Sequence, residues 1–240
     1  MPKPLKEWTV HPHGPLTQLD EGLFTVVGEL QLPLGAFPRR MTVARLRDGR
    51  LVIYSAIALD EHAMTTLEEI GEPAFLIVPG DLHRMDAKIW KDRYPQLFVV
   101  APRGAREHVS EVVSVDADHV TFNDPNVRYI TVPGTAEREA ALLVKRLGGS
   151  TLVVNDLIWN VQDRPGFGGW VFHALGLSGG APVIPFVAKL HSIEDQAALR
   201  DQLQAWARLG DLQRIVVSHG DVIETEAPIV LRQLASQLAA

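Results

Sequence analysis

Apolar positions along this chain recur at two periods, and Gly, Pro and Asp mark the changes between them. Residues 23–32 read as a strand, and residues 33–38 as a loop. Residues 41–46 and 51–54 alternate in the manner of half-buried strands. Asp48-Gly49 lies between them, and tight primed turns need the positive φ that Gly supplies, so a hairpin is predicted. The period then lengthens. Met64, Leu67 and Ile70 recur at helical spacing behind Asp60, which predicts a capped helix over 62–70 with His62 on its surface.

An apolar run at 74–78 is short enough for a buried strand and breaks at Pro79-Gly80. Ile89-Trp90 suggests a short helix. Further on, 97–101 reads as a strand, 105–109 as a short helix, 111–122 as weaker strand and 128–132 as strand. Residues 140–144 and 150–154 predict a second hairpin through Gly148-Gly149. The strand there would release Asn155 and Asp156 at its end. Residues 162–188 form a Gly/Pro-rich connection with a helical turn at Trp170–Leu175; connections this long tend to be lids, binding loops or interfaces. Ser192-Ile-Glu-Asp195 resembles a capping box, and Leu199, Leu203 and Trp206 share one face of the helix after it. A strand at 215–221 and a helix at 227–238 finish the pattern.

Strands in front, hairpins in the middle and strands separated by helices predict two helix-covered sheets in one domain, residues 21–240. Residues 1–20 read as a loosely ordered arm, in which Pro12 forces extended backbone between His11 and His13.

Composition narrows the chemistry. Apolar residues make up 46% of the 240 and charged residues 22%, so a core forms without staples. There is no cysteine, which removes thiol catalysis, disulfides and cysteine zinc ligands together. The net charge of −6, without a dense Lys/Arg block, disfavours nucleic acid. The N-terminus lacks a signal-peptide run, and the longest uncharged run is broken by Gly and Pro. A cytoplasmic soluble protein is the expectation, with a small-molecule substrate, no nucleic acid, no membrane, and a possible homodimer through 162–188.

Three apolar strands deliver polar residues at their ends: Asp81, His83 and Asp86; then Asp156; then His219. Strand ends are where α/β-type folds place chemistry. Two His and up to three Asp suit Zn²⁺, Fe²⁺ or Mn²⁺. Asp81 and His83, two apart, share a side if the backbone there stays extended. A metal so held acidifies its water towards about pH 7, giving hydroxide for attack on a carbonyl or phosphoryl centre. Asp81 could orient it or take its proton. Arg84 is a candidate for an anionic substrate group or an ordinary surface residue. Each side chain also has a plainer role. Asp81, Asp86 and Asp156 can cap helices, His83 can sit in a core or turn, and His219 can close a turn. Thr135 suits a local backbone hydrogen bond. His173 and His191 lack a partner motif, and Trp170, Phe172 and Phe186 either line a pocket or pack the loop down.

Four segments carry a family resemblance by order and spacing: Gly80-Asp-Leu-His-Arg-Met-Asp86, Pro133-Gly134-Thr135, Asn155-Asp156 and Ser218-His219-Gly220. Together they resemble the metallo-β-lactamase-like hydrolase superfamily, and within it the uncharacterised DUF4336-type family. The resemblance implies an α+β, four-layer αββα sandwich with a metal site along one edge. Against the motif T-H-x-H-x-D-H, His83 matches outright. Asp81 stands for the first His, Met85 for the Asp and Asp86 for the last His. Thr135 replaces another ligand, while Asp156 and His219 resemble the bridging aspartate and final histidine. The implied site is reduced: His83, Asp86, Asp156 and His219 as ligands to one or two divalent ions, with Asp81 and Asp86 as catalytic carboxylates. The rival expectation is a non-catalytic binding or scaffolding protein that has lost the metal.

Overall fold

The computed structural model describes residues 3–32, 35–163 and 178–238, together with 166, 169, 170 and 173. Six strands follow one another in chain order across the first sheet: β1 Thr17–Asp20, β2 Leu23–Leu32, β3 Gly35–Arg45, β4 Arg50–Tyr54, β5 Glu72–Ile77 and β6 Phe98–Val100. The first four are antiparallel. The pairs β4–β5 and β5–β6 are parallel, and parallel neighbours need crossovers. Helices α1 (Glu61–Ile70) and α2 (Ala87–Arg93) lie in those crossovers, and α3 (Arg106–Ser110) follows β6.

The second sheet holds β7 Val127–Thr131, β8 Ala140–Arg146, β9 Gly149–Asn160 and β10 Leu212–Gly220, in the order β10-β9-β8-β7. β9 and β10 are parallel, with α4 (Phe186–His191) and α5 (Gln196–Ala207) between them; α6 (Ala227–Ser236) ends the described chain.

The layers follow from the two-residue period of strand side chains. Val52 and Tyr54 of β4 meet Leu142 of β8, Val153 of β9 and Val216 of β10 in a core between the sheets. Their neighbours Leu51 and Ile53 point outward and pack with Leu67 and Trp90 of α1 and α2. On the far side Leu152, Val154, Ile215 and Val217 pack with Leu199, Leu203 and Leu231. The result is the expected αββα sandwich. Among the hydrogen bonds that cross it, the Tyr54 hydroxyl donates to the Ala140 carbonyl at 2.7 Å, and Arg40 of β3 donates to the Val217 and Gly220 carbonyls of β10.

Both hairpins form where the sequence places them, with Gly49 at φ 88° in the first. Asp60 caps α1 by accepting from the Ala63 N–H at 2.8 Å. Other expectations need correction. Residues 111–122 hold no strand, only a bridge from Ala117 to Val100. The cap of α5 is Asp195, which accepts from the Ala198 N–H, because Ser192 still closes α4 through the Ala188 carbonyl. The N-terminal segment is not loose. Residues 17–20 enter the first sheet, the Trp8 indole donates to the Leu59 carbonyl, and His13 accepts from the Asp60 N–H. Of the turn expected over Trp170–Leu175, only Trp170 and His173 lie among the described residues, and both are helical. Among those residues no helix is long and apolar enough to cross a membrane.

The largest departure is β9. It does not stop at Val154 but runs buried to Asn160, so Asp156 lies within the strand rather than after it. Its pairing with β10 slips there. Val217 pairs with Val154 but His219 with Trp159, five steps of chain against two. Such an irregularity re-aims side chains.

Candidate metal centre

The same rim of the sandwich receives three of the predicted side chains. After β5 the chain passes Pro79-Gly80 into a turn closed by the His83 N–H on the Gly80 carbonyl at 3.3 Å. Gly80 is packed close: a Cβ there would stand 3.1 Å from Asn155 Nδ2 and 3.2 Å from Glu139 Oε1. Asp156 comes from the irregular step in β9. His219 comes from the end of β10, just before Gly220, whose φ of 99° and contact with the Asn160 carbonyl leave no space for a side chain.

His83 Nε2 lies 3.1 Å from His219 Nε2 and 3.3 Å from Asp156 Oδ1, and His219 Nε2 lies 3.1 Å from that same oxygen. The outer ring nitrogens are held. His219 Nδ1 donates to the Pro38 carbonyl at 2.7 Å, which can only accept. His83 Nδ1 hydrogen-bonds the Ser55 hydroxyl at 2.8 Å. Ser55 adopts φ 56°, rare for a residue with a side chain and characteristic of constrained sites. The Trp159 indole donates to Asp156 Oδ1 at 3.3 Å. Trp159 and Phe37 each stand 5.0 Å from the His219 ring, centroid to centroid.

The donors fit a divalent ion. The Pro38 carbonyl fixes a proton on His219 Nδ1 and leaves the lone pair of a neutral ring on Nε2. With His83 in the matching tautomer, its Nδ1–H accepted by Ser55, two lone pairs and a carboxylate oxygen face one another. Something positive must lie between them, either a ring proton or a cation. Two ligands each about 2.0–2.1 Å from a tetrahedral zinc stand about 3.3 Å apart, close to the three observed separations. Outer hydrogen bonds like those of Ser55 and Pro38 are how metal-bound histidines are oriented. Burial pushes the Asp156 carboxyl up, but the attraction of His83 and His219 outweighs it and holds the group well below the usual carboxylate range.

Asp86 and Asp81 are not brought to this group. Asp86 lines the same cavity, yet Arg39 pairs with its carboxylate through both terminal nitrogens, and the Ala58 N–H donates to it at 2.9 Å. Asp86 also precedes α2 without capping it by its side chain. Asp81 diverges because the backbone turns after Gly80 instead of staying extended. It is buried against His191 Nε2 at 2.9 Å, Arg138 at 3.4 Å and His108 at 3.5 Å. His191 thus has a partner, and His173 pairs with Asp163. Arg84 is paired with Glu111. Thr135 is fully buried and donates to the Val132 carbonyl, the local bond expected of it. Trp170 and Phe186 are exposed, and Phe172 lies outside the described residues.

A cavity of about 400 Å³ opens over the cluster. Sequence reasoning missed several of its neighbours: Ser55, Arg39, Phe37, Trp159, and Glu139 behind the rim. Burial, then the charge of Asp156, pushes the Glu139 carboxyl well above its ordinary range, and Asn155 donates to it at 3.3 Å. Ser55 follows the apolar run of β4 as His83 follows that of β5, so the strand-end argument would have found it.

The whole chain superposes on solved enzymes. FIM-1 from Pseudomonas aeruginosa, a metallo-β-lactamase in its mono-zinc form, aligns over 98% of this chain and 97% of its own, with TM-score 0.64 and 14% identity. The fold is that of the metallo-β-lactamases. The metallo-β-lactamase DIM-1 aligns over 94% of this chain and 99% of its own, with TM-score 0.64 and 12% identity. A metallo-β-lactamase from Erythrobacter litoralis covers 93% and 96%, with TM-score 0.59 and 16% identity. No family model and no curated protein matches the sequence. Within this metallo-β-lactamase fold, His83, Asp156 and His219 are the group among the described residues whose donor atoms all lie within 4.8 Å of one another.

Proposed function

We propose that this chain is a metal-dependent hydrolase acting on a small-molecule carbonyl or phosphoryl substrate, with His83, Asp156 and His219 holding a single divalent ion. The reduced first motif supports kinship with the DUF4336-type branch it resembles. One observation carries the reading: two imidazole Nε2 atoms and one carboxylate oxygen, from three distant segments, converge within 3.1–3.3 Å under a cavity. The set suits Zn²⁺, Fe²⁺ or Mn²⁺, and three protein ligands leave a position for water. When bound, such an ion supplies a nucleophile at neutral pH and polarises the reacting oxygen.

The chain's own residues do the rest. Pro38 fixes the orientation and tautomer of His219, and Ser55 orients the ring of His83. Asp156 stays ionised, and the Trp159 indole steadies it. Phe37 and Trp159 keep water off the His219 ring. The buried Arg39–Asp86 pair forms a rigid wall of the cavity.

A second reading, a binding protein without metal, is favoured by Met85 and Thr135 at two positions where the resembled motif has ligands. Metal analysis of protein purified without added metal separates the two. The hydrolase reading expects uptake of a single ion per chain from Zn²⁺, Mn²⁺ or Fe²⁺, and ester or phosphodiester hydrolysis that a chelator abolishes. No uptake of any of the three ions would sink it.

A further inference from the structure

We infer that the cavity accepts an uncharged acyl compound with an apolar flank, such as an ester or amide of a hydrocarbon acid, and not a phosphate or a carboxylate-bearing lactam. The inference rests on the hydrolase reading and chooses within it.

The walls decide it. Leu30, Phe37, Leu82, Met85, Trp159 and Val187 line the space around the three donors. At about 400 Å³ the cavity is the size of a small-ligand site. Enzymes that act on phosphoryl groups grip them with free Arg, Lys or metal clusters. Among the described residues lining this cavity the one Arg or Lys is Arg39, and it is engaged by Asp86. An anionic group seeking a guanidinium would have to pull that buried pair apart, which is costly in low dielectric. An apolar chain meets no such obstacle.

The apolar surface also continues outward. Val187 of α4 lines the cavity while 39% exposed, and Phe186 and Leu190 on the same helix are 65% and 73% exposed. The apolar strip on α4 thus offers a surface for a substrate chain leaving the site. The reaction adds one water across the acyl C–O or C–N bond, the acyl carbon keeping the new oxygen and the alcohol or amine leaving with a proton.

The test compares p-nitrophenyl esters from acetate to octanoate with p-nitrophenyl phosphate, bis(p-nitrophenyl) phosphate and ceftazidime, a lactam bearing carboxylates. Binding of hexanamide and hexyl phosphate is followed in parallel by calorimetry, on protein as isolated and after zinc loading. The expected kcat/KM rises about fourfold per methylene over the first few carbons, the value of one buried CH₂. Hexanamide is expected to bind at least tenfold tighter than hexyl phosphate to the protein as isolated. Val187→Lys, at a partly exposed position, should narrow both preferences. Faster turnover of a phosphate or of ceftazidime than of any ester, or tighter binding of hexyl phosphate, would overturn the inference while leaving the hydrolase reading intact. If no ion binds and nothing is hydrolysed, the hydrolase reading fails and the calorimetric comparison still decides what the cavity prefers.

Discussion

His83 Nε2 and His219 Nε2 face each other at 3.1 Å although the residues stand 136 positions apart. Each outer nitrogen is tied to a different strand, His83 to Ser55 after β4 and His219 to Pro38 in β3. On the proposed function the pair shares one cation. His83→Ala and His219→Ala should each lower ion affinity by more than the roughly 10–100-fold that losing an outer partner costs. Competition titration against a zinc indicator measures it. Wild-type affinity in both variants would show that the convergence is not a metal site.

Ser55 should matter through His83. Ser55→Ala removes the hydroxyl that hydrogen-bonds His83 Nδ1, and ion affinity should fall about 10–100-fold. Ser55→Gly removes the same hydroxyl but accepts φ 56° freely. It should match the Ala variant in ion affinity and exceed it in stability by about 1 kcal/mol. Denaturant unfolding run beside the titration separates the two effects.

Asp86 divides a structural role from a ligand role. Asp86→Ala leaves Arg39 buried without its countercharge, and breaking such a pair costs about 3–5 kcal/mol. Replacing both residues, Arg39→Met with Asp86→Ala, should restore much of that loss. Unfolding curves of the three proteins check it. Near-wild-type stability with lost ion binding in Asp86→Ala would instead make Asp86 a ligand.

Asp156 gives a pH dependence with a definite sign. Burial raises its pKa, the two imidazoles more than offset this, and the folded value lies well below the ordinary one. A carboxyl depressed on folding contributes fully above its unfolded pKa, about 3.9, and loses that contribution as pH falls towards the folded value. In chelator-treated protein the stability advantage of wild type over Asp156→Asn should be complete at pH 5 and smaller at pH 3. An advantage that grows on acidification would contradict the geometry.

Gly220 should prove irreplaceable. A Cβ there would fall 2.0 Å from the Asn160 carbonyl oxygen, at φ 99°. Gly220→Ala should move the end of β10 and with it His219, lowering both melting temperature and ion affinity. Unfolding and titration of one preparation would show the two losses together.

The sandwich was legible because its strands are short apolar runs, such as Leu51 to Tyr54, which is buried on both faces rather than half-buried, and because both hairpin turns carry a Gly at positive φ, Gly49 and Gly149. His83 and His219 were legible because each lies at or shortly past a strand end, and Asp156 because it follows the apolar run Leu152 to Val154. What the sequence hid was direction. Whether Asp81 shares a side with His83 depends on two backbone angles after Gly80, and the turn there sends it to His191 and Arg138 instead. The continuation of β9 past Asp156 was invisible because Leu157, Ile158 and Trp159 read equally well as a capped apolar segment. The Arg39–Asp86 pair joins residues 47 apart, and no local pattern announces it.

His83 hangs from the first sheet, whereas Asp156 and His219 belong to the second. A cation held by all three would be a rivet through the sandwich and, on the proposed function, a reagent as well. At a free concentration one hundred times its Kd it would add about 2.7 kcal/mol to the folded state. Heat resistance of this protein would then track metal supply, and a cell starved of the ion would carry a softer molecule, more open to proteolysis.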